Sequence, residues 1–294
     1  MAEPMQLNQQ PSQQPSQQPS QQENQKQRAQ RFVALHQGPR AFVIANPWDG
    51  GSARMLQQLG FQALATSSGA SAGTLGRRDG NVTRDESMAH IAIIVAATDL
   101  PVSADLEKCF GDDPDTVAQT VRLAAQVGLV GCSVEDATGY KERPLFDLQE
   151  AIDRVAAAAD AARSLPFPFT LTTRTENFLR GKPDLDDTIK RLQAFERAGA
   201  DVLMAPGLPD LAAVRTVCSA LSKPFNFMAG IKGKSFSVAQ LEAAGVRRIS
   251  LATSLYRAAM TGLLNAAREV SDHGTFSYID NTIATPDFNA FLRA

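Results

Sequence analysis

Eight short apolar segments alternate with eight helix-like segments between residues 41 and 269. Each apolar segment is four or five residues long and precedes a longer amphipathic stretch, a pattern typical of buried strands that alternate with helices. Such alternation places the strands in one parallel sheet, and eight strands are the number that closes a (β/α)8 barrel. The order of the segments therefore predicts an α/β fold of the TIM-barrel type.

The predicted strands lie at residues 41–45, 62–66, 100–104, 130–134, 169–173, 202–205, 225–228 and 248–252. The first predicted helix begins near residue 52, and the last is a long helix that ends at residue 269. The six between them span about 84–97, 113–126, 145–163, 185–198, 211–221 and 237–244. An open, doubly wound sheet is the alternative, and it requires a phosphate-binding GxGxxG motif after the first strand. Residues 46–51 do not contain that motif, which favours the barrel.

The N-terminal segment differs from the rest of the chain in composition. Pro-Ser-Gln-Gln occurs three times in tandem from Pro11 to Gln22, with almost no apolar residues around it. Such a segment cannot bury enough surface to offset the entropy cost of ordering it. We therefore expect a disordered Gln/Pro/Ser-rich tail over residues 1–28 and one barrel domain over residues 29–294. A C-terminal helical arm is expected from about residue 271.

Charge and cysteine content exclude several classes of protein. The formal net charge of −2 argues against binding to nucleic acid or to an anionic membrane. No apolar run approaches the roughly 20 residues needed to cross a bilayer, and the N-terminus lacks the apolar core of a secretory signal. The three cysteines share no CxxC spacing, so a disulfide framework or a zinc site is not indicated. These features predict a cytoplasmic protein.

Carboxylates follow two of the predicted strands, at the end of a barrel where active sites are built. Asp105 and Glu107 come directly after one strand, and Glu135 comes after the next. Acids that meet at one mouth raise one another's pKa unless a cation neutralises them. Mg²⁺ prefers a few carboxylates together with waters and substrate oxygens, so the pattern predicts a Mg²⁺ site, with Mn²⁺ as an alternative. Alone, Asp105 or Glu107 would more often be a helix cap or a solvated acid, so the prediction depends on their joint placement.

Other strand ends provide candidate groups for an anionic substrate. The Gly-rich loop at residues 66–80 follows the second strand, and its backbone N–H groups are suited to binding a carboxylate. The candidate substrate-binding residues are Trp48, Ser67, Ser68, Gly69, Asp105, Arg174 and Asn226.

Four ordered motifs at these positions resemble the isocitrate lyase/phosphoenolpyruvate mutase superfamily, in its phosphonomutase-like branch. They are residues 67–79 (Ser-Ser-Gly-Ala-Ser-Ala-Gly-Thr-Leu-Gly-Arg-Arg-Asp), 101–107 (Pro-Val-Ser-Ala-Asp-Leu-Glu), 131–136 (Gly-Cys-Ser-Val-Glu-Asp) and 173–175 (Thr-Arg-Thr). The resemblance covers residues 32–267. It implies a Mg²⁺-dependent barrel enzyme whose substrate passes through an enolate of a 2-oxo acid, and a homodimer or homotetramer that exchanges the last barrel helix between subunits.

The resemblance also implies residue roles. By motif position, Asp105 is the direct metal ligand, Glu107 and Glu135 are its partners through water, and Asp79 is a further acid of the metal site. Ser68 and Gly69 resemble the part that binds the carboxylate of the oxo acid, and Arg174 resembles the arginine that stabilises the developing oxyanion.

The chain departs from the family pattern at three places. Residues 137–144 contain no Cys or His, whereas isocitrate and methylisocitrate lyases carry a Lys-Lys-Cys-Gly-His loop whose cysteine is the catalytic acid. The glutamate that these lyases have after the sixth strand is absent, and Cys109 replaces a glycine, which is expected to alter the loop or crowd the site. Tyr140, Lys141 and Arg143 are candidates for a gating loop, although a solvated charged turn is equally expected. The candidate catalytic residues are Arg174, Glu135, Tyr140 and Lys141.

Three functions follow from these observations. The leading one is a Mg²⁺-dependent lyase or decarboxylase that cleaves a carbon–carbon bond of a 2-oxo or 2-hydroxy dicarboxylate through an enolate. The second is phosphonomutase chemistry, which interconverts a phosphate ester and a P–C bonded phosphonate. The third is a catalytically silent barrel that acts as a binding module, because a fold alone does not guarantee activity.

Overall fold

A computed structural model of the protein describes residues 21–292. Strands followed by helices make up most of this part of the chain. The strands are β1 (Phe42–Ile44), β2 (Leu64–Ala65), β3 (Val102–Asp105), β4 (Gly131–Glu135), β5 (Thr170–Arg174), β6 (Val202–Met204), β7 (Phe225–Met228) and β8 (Arg248–Ser250). The helices are α1 (Gln21–Gln37), α2 (Gly50–Gln58), α3 (Ser68–Thr74), α4 (Arg84–Ala96), α5 (Pro114–Gln126), α6 (Leu148–Arg163), α7 (Leu185–Ala198), α8 (Leu211–Ser219), α9 (Val238–Ala243), α10 (Ser254–His273) and α11 (Thr285–Phe291), with a 3₁₀ helix at Ser277–Asn281.

The strands form a ring in which each hydrogen-bonded neighbour is parallel. Their order is β1-β8-β7-β6-β5-β4-β3-β2, and a parallel bridge between Ala45 and Leu64 joins β1 to β2. The predicted (β/α)8 barrel is therefore confirmed. Paired residues of parallel strands project from the same face of the sheet. The register pairs Asp105 of β3 with Ser133 of β4, and it pairs Glu135, the last residue of β4, with Arg174 of β5.

The barrel interior is polar just below the rim, which is the end of the barrel where the strands terminate. TIM barrels usually fill their interior with branched apolar side chains. Here a cavity of about 50 Å³ inside the barrel is bordered by polar groups from several strands. Those below the rim include Ser103, Ser133, Asn226, Arg248 and Ser250. Buried polar groups are costly unless they are hydrogen-bonded, and here Arg248 donates to Asn226, which in turn donates to Ser250.

Helix starts follow capping signals in the sequence. The predicted start near residue 113 is confirmed, because the Asp113 side chain accepts from the Thr116 backbone N–H at 2.8 Å and Pro114 occupies the first helical position. Helix α6 begins three residues later than predicted. The backbone N–H of Asp147 donates to the Glu150 carboxylate at 2.9 Å, which fixes the start at the next residue.

The predicted tail is helical in its last part. Residues 21–28 form the first two turns of α1, whereas residues 1–20 lie outside the described part of the chain. The Gln25 amide donates to the carbonyls of Ala125 and Leu129, at 2.8 and 2.9 Å. Arg28 pairs with Asp99 at 3.3 Å. These tertiary contacts with the end of α5 and its neighbours stabilise a sequence whose composition alone does not favour order.

The C-terminal arm, predicted from about residue 271, comprises the end of α10, the 3₁₀ helix and α11. No residue of α10 is buried in this chain, and the Arg54 guanidinium of α2 donates to the carbonyl of Leu292, directly after α11, at 3.2 Å. Large apolar side chains of α10 and the arm are exposed, namely Leu263, Leu264, Val270, Phe276, Ile279, Ile283 and Phe288. Within residues 21–292, no helix is long and apolar enough to cross a membrane.

Helix α1 closes the bottom of the barrel through His36. Its ring lies edge-on to Phe32 at 4.8 Å and to Phe42 at 5.0 Å. Its Nδ1 lies 2.8 Å from the Phe32 carbonyl oxygen, which can only accept, so Nδ1 carries the proton and Nε2 faces the Arg248 guanidinium at 3.4 Å. Burial, and then the Arg248 charge, lower the pKa of His36 to about 3.

This depressed pKa predicts a loss of stability in acid that originates at one residue. Between pH 7 and pH 4 the unfolded chain protonates His36 while the native chain does not, so the free energy of unfolding falls as the pH falls. The variant His36→Phe keeps an aromatic ring beside Phe32 and Phe42 but lacks this effect. Urea denaturation at both pH values should show that the wild type loses on the order of 2 kcal/mol more than the variant. Equal losses would contradict the buried neutral state.

Candidate functional site

Opposite charges meet at the tips of β3, β4 and β5. Arg174, the last residue of β5, places Nη1 3.8 Å from Asp105 Oδ2 and Nη2 3.5 Å from Glu135 Oε2. Its Nε also pairs with the buried carboxylate of Glu176. Burial alone would lower the pKa of Arg174, but Glu135, Glu176 and Asp105 raise it, so the guanidinium stays charged. This is the joint placement of acids and arginine that the strand ends predict.

Three donors orient the Asp105 carboxylate. The Ser68 hydroxyl donates to Oδ2 at 3.1 Å, while the Ser133 hydroxyl and the Glu107 backbone N–H each donate to Oδ1 at 3.3 Å. Both carboxylate oxygens are therefore fixed by neutral donors from separate strands and loops. Such support holds a potential ligand in one direction before anything binds to it.

Glu107 and Asp79 bring two further carboxylates to this region. Burial, and then the charges of Asp105 and Asp79, raise the pKa of Glu107 to about 7. Asp79 is exposed and lies against Gly69, where an added Cβ would be 3.2 Å from Asp79 Oδ2. Glycine at position 69 therefore leaves room for the acid. The sequence motif that contains both residues thus folds back on the tip of β3.

The donor set fits a hard divalent cation, although it forms no ready-made cage. Within residues 21–292, no three His, Cys, Asp or Glu side chains converge closely enough to enclose a metal ion. The four predicted acids nevertheless supply only oxygen atoms, and besides burial the charges of Asp105 and Asp79 disfavour the ionised form of Glu107. Oxygen donors with surplus negative charge suit Mg²⁺ or Mn²⁺, which keep several waters when bound to protein.

A second arginine extends the cluster beyond the predicted residues. Arg180 Nη2 lies 3.5 Å from Glu135 Oε1, and Arg180 Nε lies 3.3 Å from Glu176 Oε2. Burial raises the pKa of Glu135, and the charges of Arg174 and Arg180 oppose that increase. Glu176 also follows the end of a predicted strand, but neither it nor Arg180 is among the site residues predicted from the sequence. Their spacing of four residues, directly after the strand that ends in Arg174, is the signal that could have found them.

Two of the predicted substrate-binding residues line the interior cavity with Asp105 and Arg174. Ser67 is buried at the start of α3, and Asn226 is fully buried on β7. Trp48 is half-buried and does not line this cavity. Its ring lies edge-on to Tyr256, with 5.7 Å between the ring centres.

The structure does not bring Tyr140 and Lys141 to the charged cluster. The Tyr140 hydroxyl donates to Asp112 Oδ2 at 3.2 Å, and the Lys108 ammonium lies 4.9 Å from the centre of its ring. Lys141 is exposed, and neither residue borders the cavity beside Asp105. A catalytic role for these two residues stays a prediction.

The Gly-rich segment predicted as a loop contains helix α3. Ser67 precedes its first turn in an extended conformation, and Ala70, Ser71 and Ala72 are buried. A Cβ at Gly73 would lie 2.6 Å from the Tyr256 hydroxyl oxygen, so glycine leaves room for this side chain of α10. The glycines that suggest an irregular loop instead permit helix packing beside the site.

The loop after β3 is strained where Cys109 replaces the family's glycine. Glu107, Cys109 and Phe110 have φ angles of +51°, +62° and +61°, a left-handed conformation that L-residues rarely adopt. The Cys109 side chain is fully buried in the apolar core and does not crowd the site, and burial raises its pKa to about 12. Arg154 holds the loop by donating to the carbonyls of Lys108 and Gly111.

The chain matches a family model described as phosphoenolpyruvate phosphomutase over residues 32–271. It is 29% identical over 243 residues to the 2-methylisocitrate lyase of Escherichia coli (strain K12), covering 79% of this chain and 81% of that protein. It is 27% identical over 245 residues to the oxaloacetate decarboxylase of Ectopseudomonas mendocina (strain ymp), covering 81% and 82%. A solved structure from Burkholderia cenocepacia J2315, described as a candidate lyase/mutase, superposes with a TM-score of 0.90 at 49% identity, covering 92% of this chain and 97% of that one.

The left-handed conformation of Cys109 predicts an unusual order of stability between two small replacements. Glycine adopts this conformation freely, whereas alanine keeps a strain of about 1 kcal/mol. Cys109→Gly should therefore unfold at a higher urea concentration than Cys109→Ala. Cys132, which is also fully buried but lies in β4, is the matched control. There the glycine variant should be the less stable one, because glycine weakens strand interiors. The same order at both positions would contradict the strain.

Proposed function

The chain belongs to the phosphoenolpyruvate phosphomutase family, within the isocitrate lyase/phosphoenolpyruvate mutase superfamily, and from this premise we propose that it is a Mg²⁺-dependent lyase acting on a 2-oxo or 2-hydroxy dicarboxylate. Within that class we propose decarboxylation of an oxaloacetate-like 2-oxo diacid. The observation that carries the proposal is the buried guanidinium of Arg174 beside the oriented carboxylate of Asp105.

The proposed reaction needs positive charge where an enolate forms. The bond between the leaving carboxylate carbon and its neighbour breaks, CO₂ departs, and the bonding electrons move onto the 2-oxo oxygen. A proton added to the carbanion carbon then gives the 2-oxo monoacid. Fixed cations and donors aimed at the developing oxygen lower the barrier of such a step. Arg174 would supply this charge, Ser67 borders the same cavity as Arg174, and the Ser68 hydroxyl donates to Asp105.

The predicted acids would hold the metal ion, and other residues would hold the substrate. Asp105 would be the direct protein ligand, with Glu107, Glu135 and Asp79 contributing through water. When bound, the divalent cation supplies further positive charge beside the 2-oxo oxygen. Asn226 would bind a substrate carboxylate from inside the barrel.

Decarboxylation suits the chain better than lyase chemistry that depends on a cysteine thiol as the general acid. Cys109 and Cys132 are fully buried, and burial raises the pKa of both thiols. Residues 137–144 offer neither a thiol nor an imidazole. Neutral CO₂ needs no acid to protonate it as it leaves, so the absence of such a group does not impede the proposed reaction.

Phosphonomutase chemistry is the second candidate, because the matching family model carries that description. A transferring phosphoryl group needs cations around its oxygens. The side chain of Lys141 is exposed, and Arg143 pairs with Glu150 at 3.1 Å outside the cavity beside Asp105. In this arrangement neither cation faces the candidate site, which favours the lyase.

Substrate tests separate these functions directly. The protein with Mg²⁺ should be incubated with oxaloacetate, methylisocitrate, dimethylmalate and phosphonopyruvate. A pyruvate-coupled assay should detect decarboxylation of oxaloacetate, and phosphorus NMR should show no mutase product. Turnover of phosphonopyruvate alone would establish the mutase. Failure of all four acids, together with no heat of binding for Mg²⁺ and oxalate, would establish a silent barrel.

We further propose a cytoplasmic homodimer or homotetramer. The exposed apolar side chains of α10 and the C-terminal arm, with Leu263 at 60% and Leu264 at 52% exposure, are unusual on the surface of a monomer. Sedimentation velocity should therefore give the mass of a dimer or tetramer. A Leu264→Lys variant should shift the distribution toward the monomer, while Lys at exposed Leu59, outside the arm, should not. A monomeric wild type would contradict this proposal.

Asp105→Asn tests the proposed metal ligand without removing its hydrogen-bonding shape. The amide can still bond with Ser68 and Ser133 but is a far weaker ligand for Mg²⁺ than a carboxylate. Mg²⁺-dependent turnover of oxaloacetate should fall by roughly two orders of magnitude or more, while the thermal melting temperature changes little. Asp112→Asn, on the same loop but outside the cavity, is the control and should stay close to wild type. Full activity of Asp105→Asn would remove the metal assignment.

A further inference from the structure

Arg248 is a buried cation inside the barrel with no acidic partner. It is the first residue of β8, is 5% exposed, and borders the same cavity as Asp105 and Arg174. Within residues 21–292, no Asp or Glu oxygen lies within 4.0 Å of its guanidinium nitrogens. A buried charge without an opposite charge is costly, and one that persists needs neutral groups to hold it in place.

Neutral acceptors surround this guanidinium on three sides. Nε donates to Asn226 Oδ1 at 2.8 Å, and Nη2 donates to Thr172 Oγ1 at 2.8 Å. Nη1 lies 3.4 Å from Nε2 of His36, whose other ring nitrogen is bonded to the Phe32 carbonyl. Helix α1 therefore holds Arg248 from below, while β5 and β7 hold it from the sides.

The contact with Arg248 determines which way the Asn226 amide points. A guanidinium has only donors, so the atom of Asn226 that faces it must be the oxygen. The amide nitrogen then faces Ser250 Oγ at 3.0 Å. The nitrogen carries two hydrogens, and one hydrogen bond to Ser250 leaves the second for the cavity that Asn226 lines.

We propose that Arg248 is a positioning residue that turns the Asn226 amide so that the floor of the candidate site offers an N–H donor to a substrate carboxylate. The identity of that anion rests on the proposed function, whereas the direction of the amide does not. The charge of Arg248 acts in the same sense, because an uncompensated cation below the cavity attracts an anion into it.

Three substitutions test the direction of the Asn226 amide and the charge of Arg248 separately. Asn226→Asp keeps the shape of the side chain and can pair with Arg248, but it presents an acceptor to the cavity where the wild type presents a donor. Arg248→Met removes the charge and the donors, and Arg248→Lys keeps the charge without the planar group. Because Asn226→Asp gains a partner in Arg248, it provides a folded test protein even where Arg248→Met does not fold.

The binding of oxalate, a small dianion, should be measured by calorimetry with Mg²⁺ present. Asn226→Asp and Arg248→Met should each weaken binding by about tenfold or more, because a buried polar group is then left unmatched. KM for oxaloacetate should rise by a similar factor while kcat changes less. Full recovery of oxalate binding in Arg248→Lys would show that charge alone suffices, and would overturn the positioning role.

A double-mutant cycle decides whether Arg248 acts through Asn226. If it does, Arg248→Met should weaken oxalate binding less once Asn226 is alanine than it does in the wild type, because only the loss of charge remains, whereas independent roles would give multiplicative losses. The same cycle on urea unfolding tests the contact between the two side chains without any ligand, and strict additivity there would overturn the proposal. Wild-type protein that binds oxalate but turns over none of the acids would contradict the proposed function alone. Wild-type protein that binds no oxalate would overturn the donor role itself.

Discussion

The Arg174 guanidinium and the carboxylates around it depend on one another at the tips of three neighbouring strands. A buried cation persists because Asp105, Glu135 and Glu176 all approach it. Burial raises the pKa of Glu135, and the arginine charge opposes that increase. Removing Arg174 would leave the buried carboxylates of Glu135 and Glu176 with much less compensation, which is a severe penalty. The cluster is therefore organised before a ligand arrives, and a substrate oxygen would meet charges that need no rearrangement.

Charge also varies with depth along the barrel axis. Near the rim, the carboxylates of Asp79, Asp105, Glu107, Glu135 and Glu176 outnumber the guanidinium groups of Arg174 and Arg180. Below the rim, Arg248 is positive and has only neutral partners. A dicarboxylate together with a divalent cation matches this distribution, with the cation among the acids and the anion toward the arginine. The polar interior of the barrel follows from the same requirement, because apolar layers could not hold Arg248 below a polar ligand.

The sequence predicted those parts that follow from local pattern and strand topology. Because parallel strands all end at one rim, residues after separate apolar segments could be predicted to meet, and Asp105 and Arg174 do. Helix α1 could not be predicted over residues 21–28, because its order depends on bonds from Gln25 to carbonyls about a hundred residues away. Arg248 was missed for another reason. It begins its strand instead of ending it, and only the length of its side chain places the guanidinium under the rim.

The strained loop shows how the rim is fixed at the level of the backbone. The N–H of Glu107 donates to the Asp105 carboxylate, and its carbonyl accepts from the N–H of Glu135 at 3.0 Å. Both bonds require the chain to turn back immediately after β3, which the left-handed conformation of Glu107 achieves. Cys109 carries the same strain two residues later, and bonds from Arg154 to the loop carbonyls hold it there. Strain of this kind persists only where surrounding contacts over-determine the conformation. Here those contacts tie the tips of β3 and β4 together, and they place Glu107 beside Asp105 independently of any bound ion.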